Sequence, residues 1–263
     1  VRRLTVFAKG NLDVRDSLLV ARSGDAILWN GINALLREAS PDTRIRVQHE
    51  TWTRSDALLR ANGKVPADLA GRVLPLKSHP LETQFSDRLF SAPADAYILS
   101  IQPDLNFGLV RHRQDGHLFH PFDYPAWSED DRQWLRASYE NCAMLDAAAS
   151  MDNLERILSR LRAVSDAPIL IYNVSAVVPG ENIHCHVGME DILSTRIRRF
   201  NLALISLSQR TGVAIIDVDR LVAQHGADRL KIDTTHFTAL GCEVVAREVL
   251  RTLEDHGLLD KVF

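Results

Sequence analysis

The chain has 263 residues, 46% of them hydrophobic and 25% charged, with 31 Lys+Arg against 34 Asp+Glu for a formal net charge of -3. That length suits one large globular domain or two small ones with a sizeable core, and a disordered chain would be poorer in Leu, Ile, Val and Phe. The charge balance supplies no basic surface to hold a phosphate backbone, so nucleic acid is not an expected partner.

No stretch approaches the ~20 apolar residues of a membrane helix, so no membrane is expected as a partner either. Cys142, Cys185 and Cys242 are too few and too scattered for a disulfide framework, and they read as reduced thiols of a reducing compartment. The opening Val-Arg-Arg-Leu-Thr-Val-Phe-Ala-Lys-Gly is a short apolar run ended by a lysine. It reads as a first strand rather than a signal peptide, and a cytoplasmic protein is the expectation.

In chain order, Leu4 to Ala8 is a strand ending at Gly10. Asp25 to Glu38 carries Ile27, Leu28, Ile32, Leu35 and Leu36 at the spacing of one helix face and is stopped by Pro41. Arg44 to His49 alternates as a strand does, and Ala96 to Ile101 is another strand, beginning after Pro93. Met151 to Val164 is a helix with Leu154, Ile157, Leu158 and Leu161 in register, and Pro168 opens the apolar strand Ile169 to Tyr172. A long helix bearing Leu193, Ile197, Phe200, Leu204 and Leu207 is closed by Gly212. Val213 to Val218 is the next buried strand, and the last helix runs from about Ala239 to Leu253.

Strand and helix in alternation predict a parallel sheet of about five strands with helices on both faces, a three-layer α/β/α sandwich. In such folds the site lies beyond the carboxyl ends of the strands. One segment, about 107–150, has no clean period and holds His112, His117, His120, Phe119, Phe122, Tyr124, Trp127 and Trp134. Its length marks an insertion, whether a lid, a subdomain, a partner surface or a loop with its own apolar cluster. The expected organisation is thus a single domain over 1–263 with that insertion.

The sharpest local signal is Asp233-Thr234-Thr235-His236, between the last strand region and the last helix. A carboxylate three residues before an imidazole in a loop can hold Nδ1 and leave Nε2 to act as general base.

Here the sequence resembles the SGNH or GDSL hydrolases. Leu-Lys-Ile-Asp-Thr-Thr-His-Phe-Thr-Ala-Leu-Gly-Cys-Glu-Val-Val-Ala, starting at Leu230, is similar to that family's last block, an Asp-x-x-His followed by a small polar residue, a glycine and a helix. Arg198-Arg199-Phe200-Asn201 through Thr211-Gly212-Val213 to Ile216-Asp217-Val218 is similar to its preceding helix and strand. The resemblance implies a flavodoxin-like sandwich and a serine nucleophile after the first strand. It also implies an oxyanion hole from the serine's amide, a glycine after the second strand and an asparagine after the third.

On this resemblance Asp233 and His236 take the acid and base positions. Where the family has its glycine, this chain reads His49-Glu50-Thr51-Trp52-Thr53. Where it has Gly-x-Asn, this chain reads Gln102-Pro103-Asp104, with Asn106 beyond. A carboxylate at Asp104 repels an oxyanion unless it is protonated or turned away, and a missing donor forfeits about 3–4 kcal/mol. Gln102 or Asn106 can replace it. Two registers are open for the nucleophile. Gly10-Asn11-Leu12 directly after the strand puts leucine in the serine's place, whereas Arg15-Asp16-Ser17-Leu18 aligns Ser17 with it and keeps the interval to Trp29.

The expectation is a serine hydrolase, an esterase or acyl-transfer enzyme acting on a small acyl or glycosyl ester without metal or cofactor. Ser17, Asp233 and His236 form its catalytic set. Asn11, Gln102, Asp104, Asn106, His49, Glu50 and Thr51 surround the substrate and its oxyanion. The rival keeps the fold, places Leu12 at the nucleophile position, and uses His49, Glu50, Asp104, His184 and His236 for a metal or ligand. That protein would be a metal-dependent lyase or hydrolase, or a binding module. His184-Cys185-His186 and the insertion's histidines supply zinc-type donors for such a reading. Arg196, Arg198 and Arg199 either meet an anionic substrate or lie on a solvated helix face.

Overall fold

The computed structural model describes residues 2–177 and 192–260. Its central sheet has five strands, Arg2–Lys9, Thr43–Glu50, Ala96–Ser100, Ile169–Tyr172 and Ala214–Ile216, whose order across the sheet is 2-1-3-4-5 counted along the chain. The pairing is parallel, with Val6 opposite Ala96, Tyr97 opposite Ile169 and Ala214 opposite Leu170. This is the flavodoxin-like doubly wound order, whose crevice lies beyond the strands' carboxyl ends.

The two inner strands Ala96–Ser100 and Ile169–Tyr172 are buried at every position. Cover on both faces is why they read as unbroken apolar runs rather than alternating ones. Leu4, Val6 and Ala8 of the first strand share a core with Val14 and Leu18 of the helix Leu12–Leu18 and with Val245, Val249 and Leu253 of the helix Ala239–Asp255. The helix Leu193–Thr211 buries the predicted stripe, and Gly212 closes it at φ 70, where a side chain would be strained. Among the described residues no helix is long and apolar enough to cross a membrane.

The helix expected over 25–38 begins later. Ala21–Ser23 and Ala26–Trp29 pair as an antiparallel hairpin that turns at Gly24, φ 56, and the helix is confined to Ile32–Ala39. Ile27 and Leu28 fit the helical period but are half exposed, whereas Trp29, Ile32, Leu35 and Leu36 are buried. Gly24-Asp25 is hairpin chemistry, and it outweighs a period formed across the turn by chance.

The chain divides into two compact units, one of residues 1–49, 93–102 and 165–263, the other of 50–92 and 103–164. The insertion expected over about 107–150 falls in the second, which also takes 50–92 and runs to 164. Its core explains the extent. Leu69, Leu76, Leu81 and Phe85 pack with Val110, Phe119, Trp127, Leu135 and Tyr139, so the apolar residues of both segments bury one another. A three-stranded antiparallel sheet of Val110–His112, Leu118–Phe119 and Tyr139–Asn141 organises the inserted part.

Candidate active site

Asp233 and His236 sit on a narrow loop held at its base. Lys231 and Phe237 form an antiparallel bridge, Ile232 N–H donates to the His236 carbonyl at 2.9 Å, and Thr238 N–H donates to the Leu230 carbonyl at 2.9 Å. At the tip, Asp233 Oδ1 accepts the amides of Thr235 and His236, both at 2.8 Å, and Oδ2 lies 2.6 Å from His236 Nδ1. Burial alone raises the Asp233 carboxyl, but those amides and the imidazole outweigh it and hold the group below its ordinary value. Asp233 is therefore an ionised acceptor, and it fixes the His236 tautomer that carries its proton on Nδ1. The ring is 42% exposed, and Nε2 has no hydrogen-bond partner among the described residues.

Beside this loop a pocket of about 10 Å³ is lined by Asp13, Gln102, Asn173, Ser175, Lys231 and Thr234, with Val174, Val218 and Phe237 closing it. That volume matches one water site. Every wall residue follows a strand of the sheet or belongs to the loop just described. Asp13 Oδ2 accepts the Ser100 hydroxyl at 2.5 Å, while its Oδ1 is buried with no partner among the described residues. Burial drives the Asp13 carboxyl above its ordinary value, toward the neutral acid. Asn11 Nδ2 donates to Gln102 Oε1 at 2.9 Å, which joins two of the expected oxyanion residues. Lys231 Nζ donates to the carbonyl of Val177 at 2.9 Å, and Asn173 Nδ2 donates to Asp217 Oδ1 at 2.7 Å.

Ser17, expected as the nucleophile, is enclosed by the fold. It lies near the end of the helix Leu12–Leu18, wholly buried, and its hydroxyl meets the carbonyls of Asp13 at 2.8 Å and Val14 at 3.0 Å and the Tyr172 hydroxyl at 3.0 Å. A side chain packed within the core presents no oxygen to a substrate, and the reason is helical periodicity. Ser17 falls on the same face as Asp13 and Val14, the face turned to the sheet. Its role is to satisfy the buried Tyr172 phenol. Ser17→Ala is expected to cost about 1–2 kcal/mol by orphaning that group, whereas adding Tyr172→Phe recovers part of the loss. A double-mutant cycle by urea unfolding measures the coupling.

The other expected site residues have structural partners. His49 Nε2 lies 2.9 Å from the Gly10 carbonyl. Glu50 is buried and ion-paired with Arg88 at 2.9 Å, and Thr51 donates to the Ser78 carbonyl at 2.7 Å. Asn106 is half-buried at the end of the short helix Gln102–Asn106. Arg196 is buried over the Phe200 ring, while Arg198 and Arg199 are exposed. His184, Cys185 and His186 lie outside the described residues.

Asp104, expected near an oxyanion, is wholly buried and accepts the Ser55 amide and the hydroxyls of Ser55 and Ser150 at 2.6–2.7 Å. It anchors the second unit instead. Burial pushes its carboxyl up to about 6, against the opposing pull of those donors. A folded-state value above the unfolded one means that the folded chain holds the proton more tightly. The stability this brings is fully present below pH ~4 and is lost as pH rises through about 6, by about 3 kcal/mol at most. The difference in unfolding free energy between wild type and Asp104→Asn, followed by urea titration across that range, should show this slope and level off above it.

Residues of the pocket wall were open to discovery from the rule that sites follow strand ends. Asn173 and Ser175 directly follow Ile169–Tyr172, and Asp13 lies just past Arg2–Lys9.

No protein-family model matches this chain, and no curated protein matches it in sequence. Solved structures do. The acetyl xylan esterase AlAXEase is 11% identical, with 95% of this chain and 100% of that one covered at a TM-score of 0.51. A member of the lipolytic protein G-D-S-L family from Veillonella parvula is 10% identical, with 97% and 99% covered at a TM-score of 0.47. The Bacillus subtilis protein YxiM is 12% identical at a TM-score of 0.46; all of this chain is covered, but it spans only 58% of that longer protein. Parallel order, strand-end pocket and this likeness agree on the architecture: the chain has the α/β/α fold of AlAXEase, the fold implied by its resemblance to the SGNH or GDSL hydrolases.

Proposed function

We propose that the chain is an ester hydrolase whose general base is His236, steadied by Asp233, and whose nucleophile is water rather than Ser17. The observation that carries this reading is the 2.6 Å contact between Asp233 Oδ2 and His236 Nδ1, which turns an unpartnered Nε2 outward. An imidazole so held takes a proton at Nε2 while the carboxylate stabilises the resulting cation.

In the reaction, water attacks the ester carbonyl carbon as its proton passes to His236 Nε2. The carbonyl π pair moves to oxygen and gives a tetrahedral oxyanion. On collapse the bond to the alcohol oxygen breaks and that oxygen takes the proton back from Nε2, leaving an acid and an alcohol. The Asp13 carboxyl, its proton affinity raised by burial and its Oδ1 unpartnered in the adjoining pocket, offers a donor to the developing oxyanion in its protonated form. An acetyl ester of a polyol is the first substrate to try, because AlAXEase, of like fold, is an acetyl xylan esterase.

The test is hydrolysis of p-nitrophenyl acetate and an acetylated xylo-oligosaccharide, with intact-mass analysis after a rapid quench and after a fluorophosphonate probe. Turnover is expected, with no acyl-enzyme and no labelled serine. A stoichiometric serine adduct would replace water with that serine, and no turnover of either ester would end the esterase assignment.

A further inference from the structure

The hairpin between the strands Val110–His112 and Leu118–Phe119 carries His112, Asp115 and His117, and one ligand atom from each lies within 4.8 Å of the others. Backbone geometry brings them together. His112 N–H donates to the His117 carbonyl at 2.9 Å, Gly116 N–H donates to the His112 carbonyl at 3.0 Å, and Gly116 takes φ 71, which only glycine adopts without strain. The two imidazoles stack at 4.8 Å, and the exposed Asp115 carboxylate stands 3.2 Å from His112 Nδ1.

A second set of groups holds the far side of both rings. Tyr139 O–H donates to Asp68 Oδ2 at 2.5 Å, so His117 Nε2, 2.8 Å from the same phenol, donates its proton to that oxygen. Asp68 oxygens lie 3.5 Å from His117 Nε2 and 3.9 Å from His112 Nε2. His112 Nδ1 accepts the Asp115 amide at 3.1 Å and therefore carries a lone pair, not a proton. With Nε2 turned to a carboxylate and a phenol, Nδ1 is the nitrogen each ring can offer a ligand, that of His112 by giving up the Asp115 amide. That is the orientation outer-shell partners impose on metal-binding histidines.

We infer that this hairpin is a zinc site, with Nδ1 of His112 and His117 and a carboxylate oxygen of Asp115 as ligands, a water in fourth place, and Asp68 and Tyr139 as positioning residues. Two imidazoles and one carboxylate suit Zn²⁺, whereas Mg²⁺ and Ca²⁺ take oxygen ligands. Zn–N and Zn–O bonds of about 2.0–2.2 Å bring tetrahedral ligands to about 3.4 Å apart. The closure from 4.8 Å comes from the exposed Asp115 side chain and from tilting two rings that now lie 8° from parallel. The site is independent of the esterase reading, since it uses none of that reading's residues.

The experiment strips the full chain with chelator, dialyses it against Zn²⁺ and counts bound metal, with affinity from competition against a zinc indicator. One ion per chain is expected, undisturbed by millimolar Mg²⁺. His117→Ala should abolish binding. Asp115→Asn, an exposed change that leaves the metal-free melting temperature where it was, should weaken binding about tenfold or more, and Tyr139→Phe about tenfold. The His184→Ala/His186→Ala double variant should bind as wild type does. Absence of zinc from the wild type, its retention in His117→Ala, or its loss in the His184/His186 variant would overturn the assignment.

Discussion

His236→Ala is expected to lower kcat/KM for an acyl ester by about 10³-fold, within the 10²–10⁴ that a positioned general base contributes. The variant should stay folded, because the loop is fastened by backbone bonds at Lys231–Phe237 and Ile232–His236 and by Asp233 Oδ1, none of which uses the ring. Asp233→Asn should lose nearly as much for a different reason. Its carboxamide can present an N–H to Nδ1, which stabilises the tautomer with the proton on Nε2, where no base remains. It also withdraws the charge that stabilises the imidazolium. Steady-state kinetics on p-nitrophenyl acetate, with a thermal melt as control, reads both effects. Unchanged turnover in either variant would remove the pair from the chemistry.

Gly241→Ala is the severest structural change expected in the first unit. A Cβ at this position would stand 2.1 Å from the Leu230 carbonyl oxygen, 3.0 Å from its carbon and 3.0 Å from Phe237 Cβ. Those are backbone and root atoms that cannot swing aside. Leu230 and Phe237 flank the loop of Asp233 and His236, and the same Leu230 oxygen accepts the Thr238 amide at 2.9 Å as the last helix begins. Relief of the clash therefore pushes the helix off the loop. A loss of more than about 3 kcal/mol is expected, at the overpacking end of core substitutions, with reduced turnover in the molecules that remain folded. Urea unfolding gives the first quantity and kinetics the second; a stability within about 0.5 kcal/mol of wild type would contradict the close approach.

The glycine of the Asp-x-x-His block thus has a steric reason, and it shows which parts of this molecule the sequence exposes to a reader. Long buried helices and inner strands announced themselves, because a stripe such as Leu193, Ile197, Phe200, Leu204 and Leu207 has only one way to be covered. The Asp233–His236 pair was readable because its geometry is local: three residues and two backbone amides make it. Ser17 shows the opposite case: a nucleophile is defined by tertiary exposure, and Asp-Ser in a short helix looks the same in sequence whether the hydroxyl faces substrate or, as here, a buried tyrosine. Asp13 is the complementary case, since only the fold shows that its Oδ1 is buried with no partner among the described residues. The second unit's extent was hidden in the short elements of 50–92, whose apolar residues have no period and find their partners only across the insertion.

The most direct measurement is a parallel determination of kcat/KM for Ser17→Ala and His236→Ala on one acyl ester, each checked for folding by its melt. Ser17→Ala, though less stable, is expected to keep turnover within about threefold of wild type, while His236→Ala falls by about 10³-fold. A folded Ser17→Ala without activity, or a fully active His236→Ala, would contradict a water nucleophile activated by His236.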